Sequence, residues 1–368
     1  MSPERIIALP DLDLIRTRDP NNHLPCRKSQ LLAYVSGSAR WSDLLMYRAL
    51  GSTSAVHRHR HLHDGDRWTF ETPYGDHDDL RLLGFEVYSA GTVDLPLFEW
   101  GLADLLAAGQ PVLFCAPRHH FPHWLEFMRR AGTAPEEYGL PHSYLVCGAS
   151  DTDLLPVDDA TDDHEYRPLT VSRDVLRQGY AREPERWFTD CATVRQVTGP
   201  DLDSFEAAYR AFLAGFDDGF ELYDVIGDNL AVERASATAT HRAPGVNSMA
   251  LLAGSRVLFC RFLAHTAHGG AVRAAYARVA QLTTVLSDRV TAFQAGLPDL
   301  PVDRIRRCLT QLRLREQQAA RLLLDEAAVL PRILPTRHQA PVPAWASAPR
   351  PRRWRTSSAT PAPTRTSY

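Results

Sequence analysis

The spacing of apolar residues changes along the chain, from short runs in the first half to helical periodicity in the second. Runs at 112–115, 143–147 and 154–157 predict strands, and turn residues at 148–153 join the last two into a hairpin. After Pro200, apolar positions recur every three to four residues, which predicts amphipathic helices. These helices cover residues 201–216, 248–265, 271–295 and 302–330.

The first half also carries helical signals between its strands. They predict helices over 26–35, 42–49, 96–108 and 124–131, and further strands over 67–71 and 84–88. The rest of 52–80 is predicted to be irregular, and 160–200 is predicted to be a linker region with some structure. We therefore expect an α+β fold, with a domain of mixed helices and strands over residues 1–165 and a mostly α-helical domain over 166–334. Residues 335–368 are rich in Pro, Ser and Thr and contain no acidic residue, which predicts a disordered basic tail.

Composition narrows the function classes. The formal charge of −3 over 368 residues gives no reason to expect nucleic-acid binding, and no membrane span is evident. The start of the chain lacks the pattern of a secretory signal, so we expect a cytoplasmic protein. The glycine-rich nucleotide-binding motifs are missing, and no cofactor is predicted.

Cys26 stands apart from the other five cysteines. It lies among polar residues at the predicted start of a helix, whereas Cys115 and Cys147 lie inside apolar runs and are expected to be buried and inert. A helix N-terminus lowers the pKa of a thiol, and the thiolate is the nucleophilic form. The pattern therefore indicates that Cys26 is a catalytic nucleophile; a half-buried structural cysteine is the alternative.

His142 and Asp158 can supply the base and the group that orients it. His142 opens one predicted strand and Asp158 ends the next, so the hairpin brings both to the same open end. Asp159 is a competitor for the carboxylate role, and Asp151 and Asp153 in the turn are weaker ones. A strand-end histidine bonded to the backbone, beside a solvated acidic turn, is the alternative interpretation.

The alternating histidines 57, 59, 61 and 63 would share one face of an extended segment and could hold a metal. Their neighbours Arg58 and Arg60 would repel a cation. A solvated loop is the favoured interpretation, and no metal site is predicted.

Four stretches together carry a family resemblance. They are Leu-Leu-Ala-Ala-Gly-Gln-Pro-Val-Leu at 105–113, Phe-Pro at 121–122, His-Ser-Tyr-Leu-Val-Cys-Gly at 142–148 and Val-Asp at 157–158. In this order the chain resembles papain-like proteins of the double-glycine peptidase type. More closely, residues 15–165 resemble the N-terminal domain of the butirosin biosynthesis acyltransferase family.

The resemblance implies a papain-like cysteine fold for the first domain, with Cys26, His142 and Asp158 at the positions of the triad. It also implies that the protein accepts an acyl group from a carrier-protein thioester and passes it to an amine. The position six before the cysteine, where papain-like enzymes often have a glutamine that stabilises the oxyanion, is Pro20 here. Asn21 or Asn22 is the substitute donor that we expect.

The segment after the strand at 112–115 is rich in aromatic and histidine side chains. His119, His120, Phe121 and Trp124 could bind substrate by lining an acyl channel, or they could cap the core. Two alternatives to acyl transfer also stay open. A cysteine hydrolase, either peptidase or thioesterase, could use the same triad, and the fold could be a non-catalytic scaffold.

Overall fold

The computed structural model of the chain describes residues 5–6, 26–38, 41–62, 77–131, 141–158, 167–236, 244–296 and 301–334. Its described strands form one antiparallel sheet in the order β2-β8-β3-β4-β5-β6, with β1 paired to β4 and β7 paired to β5. In chain order the strands are β1 (Arg5–Ile6), β2 (Phe85–Gly91), β3 (Val112–Pro117), β4 (Pro141–Ala149), β5 (Asp153–Asp158), β6 (Arg167–Pro168), β7 (Val171–Ser172) and β8 (Cys191–Gln196).

Helices cover both faces of this sheet and make up the rest of the described chain. The α-helices are α1 (Cys26–Ser38), α2 (Ser52–Leu62), α3 (His77–Leu82), α4 (Leu95–Ala107), α5 (Pro122–Ala131), α6 (Arg173–Arg182), α7 (Leu202–Ala214), α8 (Leu222–Ser236), α9 (Pro244–Ala264), α10 (Gly270–Gln294) and α11 (Val302–Val329). Short 3-10 helices cover Ser42–Gly51, Arg118–His120 and Pro184–Arg186. The antiparallel sheet with separate helices confirms the predicted α+β class.

The sheet separates two hydrophobic cores because successive side chains of a strand point to opposite faces. Leu145 and Cys147 of β4 pack into the larger core, together with α1, the 3-10 helix Ser42–Gly51 and the helices after residue 200. Tyr144 and Val146 face the smaller core, which α4, α5 and α6 cover. The first residues of β4 therefore lie between the two helical layers.

The region over 160–200, predicted as a linker with some structure, contributes regular elements to the sheet from residue 167 onward. This part of the chain contains α6 and β8, and β8 lies between β2 and β3 inside the sheet. The sheet therefore extends past residue 165, where the sequence placed the end of the first domain. The run Cys-Ala-Thr-Val of β8 is too short and too weakly apolar to predict a strand, and its pairing with two distant strands stabilises it.

Residues 52–62 are helical rather than irregular, so His57, His59 and His61 do not form one extended face. His63, the strand predicted at 67–71 and the tail over 335–368 lie outside the described residues.

Among the described helices, the stretch Gly245–Ala264 of α9 is long and apolar enough to cross a membrane, with a mean hydropathy of 1.3. Its most apolar window is 72% buried inside the protein, which is typical of a core helix. Arg256, in the middle of α9, is fully buried and paired with Glu316 of α11. α9 is therefore a core helix of the second half of the chain.

Candidate active site

His142 and Asp158 meet at the open end of the hairpin formed by β4 and β5. His142 Nε2 donates to Asp158 Oδ1 at 2.6 Å, and both side chains are buried. Val157 lies opposite Leu145, so the next residue, Asp158, points to the other face of the sheet, where Tyr144 and His142 also point. The strand register thus places the imidazole and the carboxylate side by side.

The second oxygen of Asp158 is held by α5. Trp124 Nε1 donates to Asp158 Oδ2 at 3.0 Å, and His123 Nε2 donates to the same oxygen at 3.1 Å. The Trp124 ring also packs edge-to-face against the His142 ring, with centroids 5.3 Å apart. With donors on both oxygens, the carboxylate has one orientation, and this fixes the His142 ring.

Asp158 stays ionised in spite of its burial. Burial by itself raises the pKa of a carboxyl group. The charge of His142 and the hydrogen bonds from His123 and His142 outweigh this effect, and the pKa of Asp158 lies well below its ordinary value. A permanent negative charge beside an imidazole favours the imidazolium that forms when the ring accepts a proton.

Gln30 of α1 binds the same end of the hairpin from the other face. Its Nε2 donates to the backbone oxygen of Ser143 at 2.6 Å and to that of Val157 at 3.3 Å. In return, Ser143 Oγ donates to Gln30 Oε1 at 2.8 Å. Ser143 follows His142 and Val157 precedes Asp158, so α1 is fastened to the two strand positions next to the histidine–aspartate pair.

Cys26 is the first residue of α1, four positions before Gln30. The helical rise puts it about 6 Å along the axis from Gln30, toward the helix N-terminus. The neighbouring Arg27 is ion-paired with Asp190, and its guanidinium donates to Ser89 Oγ at 3.4 Å. The side chain of Cys26 lies outside the described residues, as do Asn21 and Asn22, the predicted oxyanion donors.

Burial suppresses the reactivity of three other thiols. It raises the pKa of Cys147, which is fully buried, well above the ordinary value. It also raises the pKa of Cys191 to about 12 and that of Cys260 to about 11. Near neutral pH these three cysteines are protonated, and a thiol in that form is a poor nucleophile.

The turn aspartates are at the wrong end of the hairpin to assist His142. Asp153 is the first residue of β5 and Asp158 the last, which separates them by about 16 Å along the strand. Asp153 accepts a hydrogen bond from Thr152 Oγ1 at 2.7 Å, within the turn. Asp159, the other competitor, lies outside the described residues.

The four residues proposed to line a channel take different places. Phe121 is fully buried and stacks on Tyr144 with centroids 4.1 Å apart, so it caps the core, and Trp124 is the buried donor to Asp158. His119 and His120 both contact the carboxylate of Glu183. The described contacts thus favour the core-capping alternative for Phe121 and Trp124.

An apolar cleft of about 320 Å³ lies between β2 and α4. It is lined by Ser89 on one side and by Phe98, Gly101 and the largely exposed Trp100 on the other. Ser89, which lines the cleft, is also the hydrogen-bond partner of Arg27 in the first turn of α1. Its volume is within the range of small-ligand sites.

Gln30 and His123 were not among the site residues predicted from the sequence. Gln30 is a polar residue one turn after the candidate nucleophile, on a helix side that is otherwise apolar, and this could have identified it. No sequence signal identifies His123, because its position depends on how α5 packs against the end of β5.

No family model matches the chain. The chain is similar to a curated enzyme of Niallia circulans, with 24% identity over 252 residues, covering 67% of this chain and 78% of the relative. The relative is named as the transferase of 4-(γ-L-glutamylamino)-(S)-2-hydroxybutanoate from its BtrI acyl-carrier protein to ribostamycin.

Proposed function

We propose that the protein is a cysteine-dependent acyltransferase of natural-product biosynthesis, with a papain-like catalytic fold and the triad Cys26, His142 and Asp158. It moves an acyl group from a carrier-protein thioester to an amine through an acyl-Cys26 intermediate. The observation that supports this most strongly is the buried 2.6 Å pair of His142 and Asp158, next to the strand residues to which α1 is bonded. The relative's acyl-carrier-protein donor supports the choice of a thioester.

In the first half-reaction, His142 takes the thiol proton of Cys26, and the thiolate attacks the thioester carbonyl carbon. The ring accepts this proton at Nδ1, since its Nε2 is the donor to Asp158. The bond from the carbonyl carbon to the carrier sulfur then breaks. The carrier leaves as a thiol with the proton from His142, and the acyl group stays on Cys26.

In the second half-reaction, the amine attacks the acyl-enzyme carbonyl and gives its proton to His142. The carbon–sulfur bond to Cys26 breaks, the sulfur regains the proton, and an amide is released. Backbone amides at the start of α1 can stabilise the oxyanion in both halves, and Asn21 or Asn22 can add a side-chain donor. The apolar cleft between β2 and α4 receives the arm of the thioester donor.

Intact mass measurement after mixing the protein with an acyl-carrier thioester tests the covalent step. We expect an adduct of the acyl mass, its loss in Cys26→Ser, and its retention in Cys308→Ser as a matched control. An adduct that persists in Cys26→Ser contradicts the assignment of the nucleophile.

The cysteine-hydrolase alternative, peptidase or thioesterase, is tested with the same thioester, with and without a polyamine. Amide product in the presence of the amine supports transfer, whereas free acid in both mixtures rejects it. The scaffold alternative predicts that iodoacetamide does not label Cys26 selectively. Selective labelling of Cys26 near neutral pH that is lost in His142→Ala excludes a scaffold.

A further inference from the structure

Two imidazoles and a carboxylate converge at a place that the proposed reaction does not use. His119 and His120 end the 3-10 helix Arg118–His120, and Glu183 is the residue that caps the C-terminus of α6. His119 Nε2 is 2.7 Å from Glu183 Oε1, and His120 Nε2 is 2.5 Å from the same oxygen. The three possible ligand atoms all lie within 4.8 Å of one another.

The three side chains are partly shielded from solvent. The exposed fraction of the side chain is 20% for His119, 9% for His120 and 17% for Glu183. Imidazole nitrogens and carboxylate oxygens are both ligand types that zinc takes in proteins.

The surroundings hold the three side chains in place. Arg186 binds the other carboxylate oxygen, Oε2, at 2.8 Å and leaves Oε1 directed at the histidines. The Trp187 ring packs against the His120 ring at a tilt of 40°, and α6 approaches both rings closely at Gly179. A Cβ at this glycine would lie 2.2 Å from Trp187 Cζ2 and 3.0 Å from His120 Cγ. A carboxylate oriented by a second hydrogen bond is the outer-shell support that metal ligands usually have.

We propose that His119, His120 and Glu183 bind a divalent transition metal of the zinc class. Two imidazoles and one carboxylate form a common zinc ligand set that leaves a fourth position for water or another ligand. Bonds of about 2.0–2.1 Å require the ligand atoms to be about 3.3 Å apart in a tetrahedral site. The distances from the two Nε2 atoms to Glu183 Oε1, 2.5 and 2.7 Å, would therefore have to increase by less than about 1 Å when a metal binds. Small rotations of the side chains are enough for this change.

The ion would connect two segments that are distant in the sequence. One is the turn between β3 and α5, and the other is the connection from α6 to the strand β8. The first segment continues directly into His123 and Trp124, the donors to Asp158. A metal at this place would therefore stabilise the turn that positions the carboxylate, without itself touching the reacting atoms.

The test is zinc titration of the full-length chain without a histidine tag, in competition with a chromophoric chelator. We expect one ion per chain, and affinity reduced at least about 100-fold in His120→Ala and in Glu183→Gln. His265→Ala is the matched control, since His265 pairs with Asp43 elsewhere, and it should bind normally. Excess zinc should raise the unfolding temperature of the wild type and of His265→Ala but not of the two ligand variants.

Cys26→Ser separates this proposal from the proposed function, because it removes the candidate nucleophile and should leave zinc binding intact. Two results would overturn the metal site: wild-type affinity weaker than about millimolar, or binding that persists in both ligand variants. Zinc binding that is lost only in Cys26→Ser would show that the ion binds at the thiol, and this result would also overturn the proposed metal site. None of these results bears on acyl transfer, which the mass measurement tests.

Discussion

Gln30 and Ser143 exchange two hydrogen bonds, one from the amide of Gln30 to the backbone oxygen of Ser143 and one from the Ser143 hydroxyl back to the amide oxygen. The two residues are 113 positions apart and fully or nearly fully buried. This pair fixes the helix that begins at Cys26 against the strand that begins at Pro141. The helix of the candidate nucleophile and the strand of the candidate base are thus connected through the hydrogen bonds of Gln30.

Replacing Gln30 with leucine should weaken this connection. The change leaves buried Ser143 groups without their partner, and we expect a loss of about 1–3 kcal/mol in the free energy of unfolding. Alkylation of Cys26 by iodoacetamide should also become slower. Gln281→Leu, at an exposed position of α10, is the control for both measurements. If Gln30→Leu lowered stability but left the alkylation rate unchanged, Gln30 would have a structural role only.

Asp158→Asn should slow acyl-enzyme formation by about 10³–10⁴-fold. The amide has one acceptor oxygen where three donors now converge, and it lacks the charge that stabilises the imidazolium. The rate is measured as adduct mass against time. Asp153→Asn, in the hairpin turn, should react like the wild type, and a comparable loss in that variant would contradict the assignment of the carboxylate.

The contribution of Asp158 to the free energy of unfolding should decrease as the pH falls below about 4. Its pKa in the folded protein lies below the ordinary value, so the folded state favours the ionised form. This stabilisation is fully present above about pH 4, the ordinary pKa of an aspartate, and is lost as the pH falls further. We measure the free energy of unfolding in urea for the wild type and for Asp158→Asn. The two values should differ by a constant amount near neutral pH and should converge below about pH 4. A difference that stays constant to lower pH would contradict the pKa direction.

Filling the apolar cleft should impair use of the thioester donor. A Cβ at Gly101 meets nothing within 4 Å, so Gly101→Phe can project into the cleft without a clash at the backbone. We expect at least a tenfold fall in kcat/KM for the donor and an unchanged unfolding temperature. Gly101→Ala adds only a methyl group and is the control. Equal activity of the two variants would exclude the cleft as the donor site.

The buried ion pair of Arg256 and Glu316 should contribute strongly to stability when only one partner is removed. Glu316 also accepts a hydrogen bond from Tyr223 Oη at 2.5 Å, and Arg256 donates to the backbone oxygen of Ala49 at 2.5 Å. Glu316→Ala leaves a buried guanidinium uncompensated, which costs about 3–5 kcal/mol.

Urea unfolding measures this cost, and the double variant Arg256→Met with Glu316→Leu should recover much of the loss. Glu126→Ala, which removes an exposed partner of Arg129, should have little effect. A small effect of Glu316→Ala would show that the pair is solvated in solution.

Local sequence signals were sufficient to predict a helix or strand where that element has its own apolar pattern and a clear boundary. The hairpin of β4 and β5 is such a case, because two apolar runs and a polar turn predict it and its ends carry His142 and Asp158. β8 could not be predicted in this way, since its stability comes from pairing with β2 and β3. The helix over 52–62 was missed because its many polar residues concealed it.

By itself, the sequence determined the α+β class, the start of a helix at Cys26 and the hairpin that joins His142 to Asp158. These follow from periodicity and turn residues, which act over a few positions. The tertiary structure alone decided that Trp124 and His123 hold the second oxygen of Asp158, that Gln30 fastens α1 to the sheet, and that Glu183 meets His119 and His120. Such contacts join side chains from distant segments, and they arise only when packing brings those segments together.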